Sequence, residues 1–238
     1  MVWFLEGLSF LPTFLVIWSS STFIVSYLIA LLRQDVSVLF PYISETGATP
    51  PESCIFSFMA TVSSFAGFAT MFARYKFVQK LIEKTACVSA CLNMAALICA
   101  ILSCIGMCIV ATFQETEVTV VHDLGAFIFF LFGMIYIVLQ TAISYKAHPH
   151  GSSKRVCHIR AGFLVVAFLA VIPTLGCAAF LKTSKLHWDP EDKGYELHIV
   201  SAVSEWIAAF TFVFFFFTYI QEFKQFTLKV DVQLLEFT

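Results

Sequence analysis

Long apolar runs divided by short polar connections set the pattern of this 238-residue chain. Six runs reach the length that an α-helix, rising about 1.5 Å per residue, needs to cross about 30 Å of hydrocarbon: residues 11–32, 54–73, 85–113, 124–145, 161–181 and 197–220. None alternates apolar and polar positions as barrel strands do, and a backbone in hydrocarbon has to satisfy its own N–H and C=O groups. The pattern predicts six membrane-spanning helices in an all-α bundle. An even number of crossings leaves both termini on one side.

Composition agrees with the pattern. Hydrophobic residues make up 59% of the chain and charged ones 13%, about half the charge with which a soluble domain covers its surface. The polar stretches 33–53, 146–160, 182–196 and the tail 221–238 are each too short to fold alone, so residues 1–238 read as one transmembrane domain. Charge gives the orientation. Arg74, Lys76, Lys80, Lys84, Lys146, Lys154, Arg155, Arg160, Lys224 and Lys229 fall on the side of the termini, against Arg33, Lys182, Lys185 and Lys193 on the other. Ten against four is the bias expected of a cytosolic face, so both termini are placed in the cytosol. The first run reads as an anchor, because it is longer than a signal peptide and no basic residue precedes it.

Several helix-scale expectations follow. The third run carries Ala86, Ala90, Ala96, Ala100, Ser103 and Gly106 at helical spacing, a stripe that lets another helix approach closely, and is expected at the bundle centre. Pro173 and Gly176 should kink the fifth. The sequence FVFFFF at 212–217 places aromatics all round a helix and reads as lipid-facing. Cys157, among basic residues, is a candidate for acylation.

The stretch 39–53, LFPYISETGATPPES, stands out by three prolines and a glycine set between two apolar runs. Thr49, Pro50 and Glu52 read as a helix start closed by a capping box. The preceding Pro41, Tyr42, Ser44, Glu45, Thr46 and Gly47, led in by Val38, Leu39 and Phe40, read as a loop lying against the outer membrane surface.

Polar residues inside apolar runs are the candidates for chemistry. Glu205 lies about 12 Å inside the sixth run at 1.5 Å per residue, where an acid costs free energy unless it is paired or neutral. With His198, Ser201 and Ser204 on its helix, it suggests a polar track open to ligand or proton, bordered by Thr61, Ser63 and Ser64. His122 and Asp123 open the fourth run, Asp123 reading as an N-cap. His122, Asp123, His198 and Glu205 would together supply a metal-dependent hydrolase if they met. The sequence contains no His-Glu-x-x-His, Gly-x-Ser-x-Gly, P-loop or dinucleotide fingerprint, so neither an enzyme nor a cofactor is expected. A net charge of −2 with dispersed basic residues argues against nucleic acid. Membrane lipids are the expected surroundings. In the tail, Asp231, Leu234 and Leu235 have the Asp-x-x-Leu-Leu form read by sorting adaptors, with an amphipathic tail helix as the alternative.

Three segments taken together resemble a known family. PYISETG followed by PPES, VHDLGA at 121–126 and SEW at 204–206 are similar to the polar marks of the Frag/DRAM/Sfk six-span membrane proteins, and the likeness extends over nearly the whole chain. The autophagy-modulator branch is the nearest in character. That resemblance implies a multi-pass protein of lysosomal and late endosomal membranes that promotes autophagy, with a link to stress-induced cell death and with other lysosomal membrane proteins as partners. No catalytic mechanism comes with it. Lipid or solute handling is the family-level alternative.

Overall fold

The computed structural model describes residues 6–180 and 186–229. Its long elements are α1 (Phe10–Arg33), α2 (Glu52–Thr85), α3 (Ala90–Thr112), α4 (Thr119–Ala147), α5 (Lys154–Phe180) and α6 (Tyr195–Phe215). Six helices are long and apolar enough to cross a membrane. Each packs on its neighbours in sequence, and α1 closes the bundle against α6 and the turns that follow it. The Leu8 amide donates to the Phe223 carbonyl at 2.8 Å, so both ends of the described chain meet at one end of the bundle. That end also holds the basic connection between α4 and α5, and is called the basic end. At the other, the loop end, the Ser37 amide donates to the Leu186 carbonyl at 3.1 Å, joining two connections.

Helix α2 continues twelve residues past its apolar run. Seven of residues 74–85 are the good helix formers Arg, Lys, Gln, Leu and Glu, and Arg74, Val78 and Leu81 are inward. It stops at Ala86, which is left-handed at φ 52°. Helix α6 departs from ideal geometry at its basic end: a 3₁₀ segment, Phe216–Tyr219, separates it from the single turn α7 (Ile220–Phe223).

Three sequence-based expectations change. The small-residue stripe of α3 does allow close approach, since a Cβ on Gly106 would lie 2.5 Å from the Phe129 amide nitrogen. Yet α3 is peripheral, with 28% of its span buried against 44% for α4 and α6. The aromatic run belongs to one of those central helices: Phe212 and Phe215 are core residues, while Phe214 and Phe217 are exposed. Cys157 is fully buried, which removes it as an acylation site. Pro173 sits within α5, which runs through it as one element.

Candidate functional site

Residues 41–47 do not lie on the outer surface as a loop. They fold into the loop end of the bundle, because their backbone donors find acceptors there. The Tyr42 amide donates to Glu45 Oε2 at 2.7 Å and the Ile43 amide to Glu205 Oε2 at 2.8 Å. The Ser44 hydroxyl donates to Glu115 Oε2 at 2.5 Å. The Trp206 indole N–H donates to the Pro41 carbonyl at 2.8 Å. Thr46 donates to the Ile43 carbonyl and pairs with Ser26 of α1. Gly47 is required by close approach, since a Cβ there would stand 2.5 Å from the Phe56 ring. Only the lead-in Val38, Leu39 and Phe40 stays exposed.

Three carboxylates thus gather round one short turn, and sequence reasoning had singled out Glu45 and Glu205 but not Glu115. Glu45 is buried, and desolvation pushes its carboxyl up to about 9, with the charge of Glu115 adding and the Tyr42 amide opposing. Burial likewise raises the Tyr42 phenol above its usual range.

His198 packs edge-on against Tyr42, centroids 4.9 Å apart, and stacks on Trp188 at 4.5 Å; neither ring nitrogen has a hydrogen-bond partner among the described residues. Ser201, on the same helix, donates to the Thr174 carbonyl of α5. Ser204 is only half-buried. His122 pairs through Nδ1 with the Phe113 carbonyl at 2.7 Å. With Glu205 and Ser44 it lines a cavity of about 40 Å³, room for one or two waters among polar groups. Asp123 is exposed, and α4 starts four residues earlier at Thr119, so Asp123 is not its N-cap. Ser63 and Ser64 line a separate central cavity and do not border Glu205. Among the described residues no three of His, Cys, Asp and Glu are placed to hold a metal ion; the four-ligand hydrolase set is not assembled.

The predicted start of α2 also shifts. Thr49 is not the N-cap: the helix begins at Glu52 after a cis Pro50–Pro51 bond, without a side-chain cap. Glu52 is buried and pairs instead with Arg33, 3.5 Å away, beside Asp35. The sorting motif Asp231, Leu234 and Leu235 lies outside the described residues.

The basic end holds a cluster that the sequence reading missed. Arg74 and Arg160 were assigned to connections and Glu222 to the tail, yet all three are buried together. Arg74 Nη1 and Arg160 Nη2 both donate to Glu222 Oε2, the latter at 3.1 Å, and Ser152 donates to Glu222 Oε1 at 2.6 Å. Arg74 also reaches Gln140 of α4. Arg160 donates to the hydroxyl and carbonyl of Thr218 in the 3₁₀ segment, taking up an acceptor released by the broken helix. Both guanidinium groups lie over the ring of Tyr219. One carboxylate inside an apolar run can announce itself; two arginines beyond the run ends cannot, because snorkelling side chains there are ordinary.

Known proteins similar to this chain match nearly its whole length. No solved structure matches the chain. It is 46% identical over 234 residues, 98% of each chain, to the human DNA damage-regulated autophagy modulator protein 1. To the mouse DNA damage-regulated autophagy modulator protein 2 it is 41% identical over 242 residues, covering 98% of this chain and 90% of that protein. A Xenopus laevis protein named modulator of macroautophagy TMEM150B-B is 29% identical over 202 residues, 84% of this chain and 78% of its own. The model of the Frag1/DRAM/Sfk1/Cwh43P N-terminal domain matches residues 7–226. With its three marker segments brought together at one end of a six-span bundle, the chain belongs to the Frag1/DRAM/Sfk1/Cwh43 family.

Proposed function

We propose that this chain is a lysosomal and late endosomal membrane protein that promotes autophagy as a non-enzymatic regulator, with its basic end in the cytosol and the 41–47 turn in the lumen. The family membership and the names of the relatives support the process; the positive-inside count supports the orientation. The link to stress-induced cell death comes with the same membership. The observation that carries the regulatory reading is the pinned turn. Its amides are consumed by Glu45 and Glu205 and its Ser44 hydroxyl by Glu115, so these carboxylates hold a shape instead of facing a substrate. The pinned turn fixes the exposed lead-in of Val38, Leu39 and Phe40 as a surface for a luminal partner, and the cytosolic connections offer a second one.

Re-expression in cells lacking the chain tests this. Glu205→Gln keeps an acceptor for the Ile43 amide and should retain autophagic flux and lysosomal location. Glu205→Ala removes the acceptor and should lose most of the flux at equal protein level. Full flux from Glu205→Ala would sink the reading, and loss with Glu205→Gln would replace it by a titrating role for the acid.

A second reading, handling of a small solute or lipid, is favoured by one feature. The cavity beside Glu205 shares Phe23, Met107 and Phe129 with a central chamber of about 80 Å³.

A further inference from the structure

The central chamber lies among α1, α2, α3, α4 and α6, and its lining includes Leu15, Met71 and Phe212, with Ser63, Ser64 and Ser103, whose hydroxyls donate to the Met59, Cys104 and Phe129 carbonyls. Among the described residues no lysine, arginine, carboxylate or histidine lines it. A charge-free wall whose hydroxyl donors are already engaged suits a small uncharged molecule and repels a naked ion. Tyr136 and Phe216 also line it, and they lead to the basic end. The Tyr136 hydroxyl meets that of Tyr219 at 3.0 Å, and the Tyr219 ring lies beneath both buried guanidinium groups. Phe216 opens the 3₁₀ segment.

We infer that the chamber is a binding site for a small uncharged molecule and that the Arg74–Glu222–Arg160 cluster is its gate at the basic end. The inference rests on the solute-handling reading above and adds the door. Glu222 ties the short turn α7 to α2, α5 and Ser152 at once, so releasing this one carboxylate frees the segment below the chamber from three partners. The 3₁₀ break immediately before it is where such a segment can bend, since its hydrogen bonds are poorer than those of an α-helix. The cluster is also imperfectly neutralised: two guanidinium groups share one carboxylate, and Arg74 Nη2 has no hydrogen-bond partner among the described residues. A buried ion cluster of this kind adds little net stability over an apolar plug, which suits a contact that has to open.

Cys104 lines the chamber and provides the readout. The protein in nanodiscs is treated with iodoacetamide, which is small and uncharged, and modification of Cys104 is followed by peptide mass spectrometry relative to Cys108, which shares with Cys104 a groove on the outside of α2 and α3 but does not line the chamber. A Lys80→Cys variant, at an exposed site, calibrates reagent delivery. Glu222→Gln should raise the Cys104 modification rate at least tenfold over the parent, and Tyr219→Phe, which removes one hydroxyl and keeps the ring, should raise it several-fold. Excess acetamide, uncharged and unreactive toward thiols, should slow that modification in Glu222→Gln by occupying the chamber, and no slowing overturns the binding site. Unchanged rates in monodisperse Glu222→Gln overturn the gate; if that variant aggregates, an unchanged rate in Tyr219→Phe does the same. Neither readout depends on autophagy or on sidedness, so the gate can fail while the regulatory reading stands.

Discussion

Glu45 is the side chain whose burial is expected to make the 41–47 turn sensitive to pH. Its carboxyl is raised from about 4.5 to about 9 by burial, so the folded turn prefers the neutral acid. The stabilisation is fully present below the unfolded value and is lost as pH rises through the folded one. Hydrogen exchange of residues 42–47, corrected for the intrinsic rate, should therefore be slower at pH 5 than at pH 9, and Glu45→Gln should flatten that dependence. A turn whose protection rises with pH would contradict the assigned burial. The sequence marked Glu205 by its depth in an apolar run and Glu45 by family likeness, but not what either touches. The partner of Glu205 is a backbone amide 162 residues away, and an amide carries no signature in a one-dimensional pattern. Glu115 was invisible for the same reason: an acid in a polar connection looks solvated until a neighbour covers it.

At the scale of elements, hydrophobic length located the helices well and their ends less well. The apolar criterion ended α2 at residue 73, whereas the helix reaches Thr85 because an amphipathic extension needs only one buried face. The same limit misplaced the Phe run, since a helix apolar on all sides fits lipid and protein core equally. The stripe of small residues in α3 announced a close helix contact without naming α4 as its partner, and that contact yields a sharp test. A Gly106→Val side chain would meet the Phe129 amide nitrogen and the Gly125 carbonyl, backbone groups that cannot rotate away. The expected loss is about 1–3 kcal/mol, read as a lower midpoint in thermal unfolding in detergent; Gly162→Ala, which faces open space, should leave the midpoint unchanged.

For the whole molecule, two polar clusters close the two ends of one bundle, and the apolar chamber lies between them. Truncating one member of the buried ion cluster, as in Glu222→Ala, should cost about 3–5 kcal/mol because it leaves two unpaired guanidinium charges, and a denaturation midpoint in detergent would register it. Tags on the two termini should both be removed by protease added to sealed lysosomes, and a protected tag would reverse the proposed orientation. The sequence by itself determined that the chain crosses the bilayer six times, because an apolar run of sufficient length satisfies its backbone and its surroundings without reference to any other part of the chain. Only the tertiary structure decided which polar groups would be shut inside. Arg74 and Glu222 are 148 residues apart, and the cost of burying these charges is met by each other and by Arg160, Ser152 and Gln140, a cluster that exists nowhere until the helices pack.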